Sequence, residues 1–274
     1  MNIKAFKMDG LGNDFVFIDN RQKITNLDKE QIIKICDRSF IGCDQLILIE
    51  NDNSADAYLK FYNSDGGESG ACGNGTRCIA DFISRETNNK TIVLKTLSGL
   101  LKSEILGNKI VTTEIGKAKT EWSEIPLSEK LDTKNLNIKI LDKNNKEHIG
   151  GTAVNVGNPH IIFFVNELND FNIKKIGPEI ENHFIFPEKC NVTIAQVINK
   201  GLIKIKVWER GAGLTKACGT AACATAFAGK INNLTENKTD IEFSTGKLSI
   251  WIDAKNSIHM KGPVSDVEEI EIKL

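Results

Sequence analysis

The sequence lacks an excess of charge of either sign. Its 35 lysine and arginine residues nearly balance 36 aspartate and glutamate residues, which leaves a formal net charge of −1 over 274 residues. It also has no long basic run. Because a nucleic-acid-binding surface concentrates positive charge, a nucleic-acid partner is not expected.

Long hydrophobic runs are missing as well. The longest apolar stretches have the length of a β-strand, so no membrane span is predicted. The amino-terminal stretch "MNIKAFKMDGLGND" has neither the apolar core nor the cleavage site of a secretory signal. We therefore expect a cytoplasmic protein with no membrane partner. In that reducing compartment, the seven cysteines are expected to be buried thiols or reactive groups rather than disulfides.

What the sequence does contain is a long internal repeat. "ACGNGTRCIA" (71–80) and "ACGTAACATA" (217–226) place Cys72 and Cys218 at matching positions, 146 residues apart. Other polar residues match at offsets of 145 or 146, namely Asn13 with Asn158, Gln45 with Asn191, and Asn63 with Glu209. Further along, "LSGLL" and "STGKL" match at an offset of 147. Blocks in one order at nearly constant spacing predict the duplication of a whole domain.

Each half predicts the same α+β organisation. Short runs such as "FVFID", "QLILIE" and "IIFFV" are typical of strands, and one substantial helix follows each cysteine. On the first helix we expect one buried face, formed by Cys72, Thr76, Ile79, Ala80 and Ile83. The second helix is small or apolar all round, which indicates burial on every side.

We therefore predict two pseudo-symmetric domains, each a mixed β-sheet wrapped around a central α-helix. The first covers residues 1–118 and the second covers residues 119–263. Residues 119–147 are rich in lysine, asparagine, glutamate and aspartate, which favours a connection between the domains.

The position of the paired cysteines suggests proton-transfer chemistry. A helix amino terminus has unpaired N–H groups and a positive dipole end, so it favours bound anions and thiolates. If the halves pack face to face, a carboxylate lies between two helix termini with one thiol on each side. A thiolate and a thiol on opposite faces can invert a carbon that bears a hydrogen. These features predict a racemase or epimerase that uses neither pyridoxal phosphate nor a metal.

Other interpretations of the cysteines remain open. Those that do not stand at matching positions are interpreted as buried packing residues: Cys36, Cys43, Cys78, Cys190 and Cys223. The spacings from Cys72 to Cys78 and from Cys218 to Cys223 do not fit the short pairs of structural zinc sites. A redox pair of Cys72 and Cys218 would lack the C-x-x-C context.

The matched polar residues are interpreted as the lining of a shared cleft, although each asparagine beside a glycine is on its own more typical of a turn. Arg210 breaks the symmetry, because Ser64 stands at its matched position. In a pseudo-symmetric site, one unmatched cation would hold a carboxylate at only one end of the substrate, whereas a solvated surface arginine is the alternative.

Five motifs together resemble those of diaminopimelate epimerases: "MDGLGNDF" (8–15), "GCDQ" (42–45), "YNSDGGESGACGNGTRC" (62–78), "GNPH" (157–160) and "ERGAGLTKACGTAAC" (209–223). The resemblance implies two similar domains with the active site in the cleft between them, and a carboxy-terminal segment (264–274) that returns to the first domain. It also implies a homodimer with no cofactor. The reaction implied is the epimerisation of LL-2,6-diaminopimelate to the meso form, in lysine and peptidoglycan precursor biosynthesis.

The same resemblance implies a role for each matching residue. Cys72 and Cys218 are the acid/base pair, and His160 and Glu209 adjust the cysteine pKa values. The residues implied to bind substrate are Asn13, Gln45, Asn63, Gly73, Asn74, Asn158, Asn191, Glu209, Arg210, Gly219 and Thr220. The chain departs from the family pattern at Cys43, Leu214 and Ala221. A racemase of another amino acid, such as histidine or proline, is the alternative.

Overall fold

In the computed structural model, which describes residues 2–274, the chain divides into two compact units. Unit 1 comprises the chain up to Glu114 together with Lys261–Leu274, and unit 2 comprises Ile115–Met260. Among the described residues, no helix is long and apolar enough to cross a membrane.

The elements are numbered along the chain. Those within unit 1 are β1 (Asn2–Asp9), β2 (Asp14–Asp19), α1 (Lys29–Cys36), β3 (Gln45–Glu50), β4 (Ala57–Asn63), β5 (Glu68–Ser69), α2 (Gly73–Thr87), β6 (Thr91–Thr96), β7 (Gly99–Gly107) and β19 (Glu268–Lys273). Two strands contain the unit boundaries, namely β8 (Ile110–Lys117) and β18 (Ser257–Pro263). Those within unit 2 are β9 (Ile138–Leu141), β10 (Glu147–Gly150), β11 (Thr152–Asn155), β12 (Pro159–Val165), α3 (Ile173–Glu181), β13 (Asn191–Asn199), β14 (Leu202–Glu209), β15 (Gly213–Thr215), α4 (Gly219–Ile231), β16 (Lys238–Phe243) and β17 (Gly246–Ile252).

Strand pairing is the same in the two units. In unit 1, β1–β2 is antiparallel, β2–β3 parallel, β3–β4 and β4–β5 antiparallel, β4–β6 parallel and β6–β7 antiparallel. In unit 2, the sequence β11, β12, β13, β14, β15, β16, β17 repeats each of these pairings with the same polarity. In unit 1 the carboxy-terminal strand β19 also pairs antiparallel with β1. The shared pairing confirms the predicted α+β repeat with a mixed sheet in each half.

The strand β3 shows why near-continuous apolar runs form these sheets. Its alternate residues Leu46 and Leu48 belong to a buried cluster that includes Ile35 of α1. The residues between them, such as Ile47, belong to a second cluster that includes Ile79 of α2. Because successive strand residues face opposite sides, a run with no polar alternation is buried on both faces of the sheet.

The helix after each cysteine is more deeply buried than amphipathic spacing alone would require. For α2 the sequence predicted a single buried face, and this was too narrow, because every residue from Gly73 to Ile83 is buried. The strands of unit 1 pack around it, with Phe15 and Phe61 in its cluster. The prediction for α4 is confirmed, since all but one of its residues from Gly219 to Gly229 are buried.

The charged segment 119–147, which was interpreted as a connection between the domains, forms part of the structure of unit 2. It contributes Ile125, Leu127 and Leu136 to the buried core of unit 2, and its end forms the β9–β10 hairpin. Sparse apolar residues anchor the segment even though its average composition is polar. The short helices α1 and α3 were also missed, although Asp28 and Gln31 form a capping box at the start of α1.

Candidate active site

Cys72 and Cys218 occupy the same local position in their units. Each is the N-cap of its helix, with φ and ψ of −140° and 115° for Cys72 and −137° and 115° for Cys218. Neither side chain caps its own helix by a hydrogen bond. In this respect both cysteines differ from a typical N-cap residue, whose side chain bonds the helix N–H groups.

The first turn of each helix contains backbone N–H groups that make no hydrogen bond within the helix. The first helical hydrogen bonds run from Thr76 N to Cys72 O at 2.8 Å and from Ala222 N to Cys218 O at 3.0 Å. The three N–H groups that precede each of them have no carbonyl partner within the helix. Together with the positive dipole end, they form an anion-binding feature beside each thiol.

In unit 1, a pair of asparagines lies beside Cys72. Asn13 Oδ1 accepts a hydrogen bond from Asn74 Nδ2 at 3.2 Å and lies 3.8 Å from the Cys72 Sγ that donates to it. Asn74 is 1% exposed, and its Oδ1 has no hydrogen-bond partner within residues 2–274. A buried amide oxygen in this state is suited to accept a hydrogen bond from a bound N–H group.

The orientation of Asn13 is set by three charged residues that the sequence analysis did not single out. Asn13 Nδ2 donates to Asp44 Oδ2 at 2.8 Å, which leaves Oδ1 to face Cys72 and Asn74. Arg38 binds both carboxyl oxygens of Asp14 and also Asp44 Oδ1, at distances of 2.5 to 2.8 Å. Burial works to raise the pKa of Asp14, but the hydrogen bonds and charge of Arg38, together with hydrogen bonds from Asp44, hold that pKa below its usual value. The feature of the sequence that could have indicated them is that Asp14 directly follows Asn13.

The other two predicted residues of unit 1 meet across neighbouring strands. Gln45 and Asn63 are register partners of β3 and β4, and Gln45 Nε2 donates to Asn63 Oδ1 at 2.8 Å. This bond joins the beginning of β3 to the end of β4, where the chain turns towards Cys72.

Asn191 joins three strands of unit 2. It is 2% exposed, and its Nδ2 donates to the Pro159 carbonyl at 3.0 Å. Its Oδ1 accepts from the Arg210 backbone N at 3.0 Å. The Arg210 side chain in turn donates from Nη1 to the Glu188 carbonyl at 2.9 Å. Asn191 thus holds the backbone from which Arg210 projects.

His160 is fully buried next to Asn158. Its Nε2 lies 2.8 Å from Asn158 Oδ1, and its Nδ1 makes no hydrogen bond with the part of the chain described. Burial and then the positive charge of Arg210 lower the pKa of His160 to about 3. The imidazole is therefore neutral at physiological pH.

The surroundings of Cys218 favour its protonated form. It is 6% exposed, and its Sγ lies 3.4 Å from Thr220 Oγ1. Burial raises its pKa well above the ordinary value, and the negative charge of Glu209 raises it further, whereas Thr220 acts in the opposite direction.

The five cysteines interpreted as packing residues are all buried.

The fold is shared with solved structures of distant sequence. A PhzF-family phenazine biosynthesis protein from Bacillus anthracis matches with a TM-score of 0.69 at 15% identity over 100% of both chains. A hydroxyproline epimerase from Agrobacterium vitis matches with a TM-score of 0.70 at 12% identity, covering 98% of this chain and 91% of that one. The protein thus has the fold of a class that includes an epimerase.

Sequence similarity narrows this class to one family. The sequence model described as diaminopimelate epimerase matches residues 5–121 and 152–267. A diaminopimelate epimerase from Pelagibacter ubique (strain HTCC1062) is 69% identical over 274 residues, which is 100% of both chains. One from Acidiphilium cryptum (strain JF-5) is 40% identical over 267 residues, covering 97% of this chain and 95% of the relative. The chain belongs to the diaminopimelate epimerase family and is an isomerase, as the motifs predicted.

Proposed function

We propose that the protein converts LL-2,6-diaminopimelate to meso-diaminopimelate by a two-base mechanism, with Cys72 and Cys218 as the proton carriers. The observation that carries the proposal is the pair of N-cap cysteines. Each stands at the start of a buried helix, in the same backbone conformation, with its side chain uncommitted to capping. Family membership supports the substrate.

In the proposed reaction, a thiolate removes the α-hydrogen from one face of the carbon as a proton. The electron pair of the broken C–H bond is delocalised towards the carboxylate. The thiol on the opposite face then donates its proton, so the carbon is inverted and the two sulfur atoms have exchanged protonation states. Base and acid catalysis by positioned side chains contributes about 10² to 10⁴ in rate.

The helix termini have a defined part in this mechanism. We assign the reacting carboxylate to N–H groups of Gly73, Asn74, Gly219 and Thr220, because charge that develops there is stabilised by preorganised N–H donors and dipoles. The partnerless Asn74 Oδ1 suits the substrate ammonium group. The remaining substrate contacts are assigned to Asn13, Gln45, Asn63, Asn158, Asn191, Glu209 and Arg210.

Of the two residues that the resemblance implied to adjust the cysteine pKa values, only Glu209 keeps that role in the proposal. The charge of Glu209 helps to keep Cys218 protonated, which suits its service as the acid. His160 is neutral, so we assign it the orientation of Asn158 through their 2.8 Å hydrogen bond. We further propose that the enzyme needs no cofactor, acts in the cytoplasm as a homodimer, and serves lysine and peptidoglycan precursor synthesis.

The test is deuterium uptake at the α-carbon in D₂O, followed by NMR, with LL-diaminopimelate, lysine, histidine and proline. We expect uptake and inversion with LL-diaminopimelate. Cys72→Ala and Cys218→Ala should each lower inversion by about 100-fold or more, because each removes the proton carrier of one face.

Matched controls lie one turn or more further along the same helices. Cys78→Ala in α2 and Cys223→Ala in α4 make the same chemical change at fully buried positions. Because neither residue carries a proton in the proposed mechanism, specific activity per folded molecule should stay within about threefold of wild type. Near-normal inversion by Cys72→Ala or Cys218→Ala, with folding verified by circular dichroism, would refute the two-base mechanism. Faster turnover of histidine or proline than of LL-diaminopimelate would favour the racemase alternative.

A further inference from the structure

Unit 2 contains a buried carboxylate that the proposed mechanism does not use. Glu181, the last residue of α3, is 6% exposed. Its Oε2 accepts a hydrogen bond from Trp208 Nε1 at 2.7 Å, and its Oε1 accepts one from Gly211 N at 2.9 Å. These two donors flank Glu209 and Arg210 in the sequence, so a single carboxylate holds the chain on both sides of that pair.

The Trp208 ring is held by the same helix. A Cβ added at Gly177 would lie 2.3 Å from Trp208 Cγ, so the indole packs directly on the α3 backbone. Gly177 and Glu181 are four residues apart and therefore share a helix face. Gly177 allows the indole ring to approach, and Glu181 accepts the hydrogen bond from its Nε1.

The held segment is a tight turn. Ala212 N donates to Glu209 O at 3.1 Å, and Arg210 N donates to Asn191 Oδ1 at 3.0 Å. With Glu181 bound on both sides, the peptide groups around Glu209 and Arg210 have fixed directions. The side chains assigned to substrate and to Cys218 therefore start from a defined backbone.

The chemistry of the site requires a carboxylate. Two N–H donors point at Glu181, and a carboxylate offers an acceptor oxygen to each, whereas a glutamine offers one oxygen and one NH₂ group. Within residues 2–274, no lysine, arginine or histidine forms an ion pair with Glu181. A buried charge without a cation partner costs free energy, and the two hydrogen bonds to Glu181 offset part of this cost.

The matching turn of unit 1 is built differently. There Ser64 stands in place of Arg210, and the turn is held by its own Asp65, whose Oδ1 accepts from Gly67 N at 2.8 Å. A carboxylate from a neighbouring helix therefore binds the turn that contains Arg210, whereas the matching turn of unit 1 is bound by its own aspartate.

We propose that Glu181 is a positioning residue that fixes the Glu209–Arg210 turn and thereby sets the recognition of the distal carboxylate of the substrate. This inference rests on the proposed function, since Arg210 is assigned to that carboxylate there. Glu181 touches no substrate itself.

The test compares Glu181→Gln with Glu179→Gln, the same change at an exposed position two residues earlier on the same helix. For LL-diaminopimelate we expect kcat/KM to fall about 10-fold or more in Glu181→Gln, mainly through KM, because a hydrogen bond to a charged group is lost and an NH₂ group opposes a donor. Glu179→Gln should stay within about twofold of wild type.

A double-mutant cycle with Arg210→Met separates positioning from general support of the fold. If Glu181 acts through Arg210, Glu181→Gln should change kcat/KM by less than about threefold in the Arg210→Met background, since coupled residues are not additive. An equal loss in both backgrounds, tracking a fall in Tm, would overturn the proposal.

If Glu181→Gln does not fold, Trp208→Phe provides a second test, because it keeps an aromatic ring beside Gly177 while it removes the Nε1 donor together with part of the indole. Unchanged kcat/KM in a folded variant of either kind, with an active wild type, would overturn the positioning role alone. A wild type that does not turn over LL-diaminopimelate would overturn the proposed function, and with it this inference.

Discussion

Arg210 allows the sharpest test of substrate specificity. Diaminopimelate has a second carboxylate at the end of its side chain, and lysine is the same molecule without it. Arg210 is exposed, and its Nη1 donates a hydrogen bond to the Glu188 carbonyl. A guanidinium has five N–H donors in a planar fork, which suits a carboxylate. The change Arg210→Met keeps a long side chain and removes the charge.

The expected magnitude follows from the exposure of the group. Removing one partner of a buried charged pair costs 2 to 5 kcal/mol or more, and an exposed pair contributes less than about 1 kcal/mol. Arg210 is exposed, and the carboxylate proposed to bind it would cover it in part, so we expect a loss of about 2 kcal/mol, between these two limits. This corresponds to a fall of about 30-fold in kcat/KM for LL-diaminopimelate.

The assay is α-hydrogen exchange in D₂O with LL-diaminopimelate and lysine as paired substrates. Wild type should use lysine poorly, and Arg210→Met should change the lysine rate by less than about threefold. Arg85→Met is the matched control, because Arg85 is a partly exposed arginine of α2 that pairs with Asp81. An equal loss for both substrates would show that Arg210 does not recognise the distal carboxylate, and the reasoning would be refuted.

Two further predictions concern packing and the Cys218 thiol. Gly75→Ala should lower the free energy of unfolding by about 1 to 3 kcal/mol in denaturant titrations, because the added Cβ would lie 2.9 Å from side-chain carbons of two strands. Gly150→Ala is the control, because no atom lies within 4 Å of its added Cβ. Equal losses in the two variants would contradict the packing argument. Glu209→Gln should lower the pKa of Cys218 by removing a negative charge that raises it, so in a Cys72→Ala background the alkylation of Cys218 at pH 9 should become several-fold faster by mass spectrometry. A slower or unchanged rate would show that burial alone sets that pKa.

The sequence was sufficient for the repeat, for the sheet class and for the two helices that follow Cys72 and Cys218. These features depend on local patterns: apolar runs of strand length, glycine after each cysteine, and matching blocks at one offset. The family assignment was accessible for the same reason, since its motifs are short and contiguous. Where local pattern and packing disagreed, the sequence was misleading, as with the charged segment 119–147 that supplies Ile125 and Leu136 to the core of unit 2.

Only the tertiary structure decided how the side chains of the site are oriented and charged. The amide of Asn13 is turned by Asp44, which is 31 positions away, and Glu181 bonds donors that are 27 and 30 positions away. The low pKa of His160 and the raised pKa of Cys218 both have burial as their largest cause. Burial and hydrogen-bond direction depend on which distant segments pack together, and residue order along the chain does not encode them locally. The sequence therefore determined which residues are proposed to carry the chemistry, and the packing of each unit determined how those side chains are oriented and in which direction their pKa values are shifted.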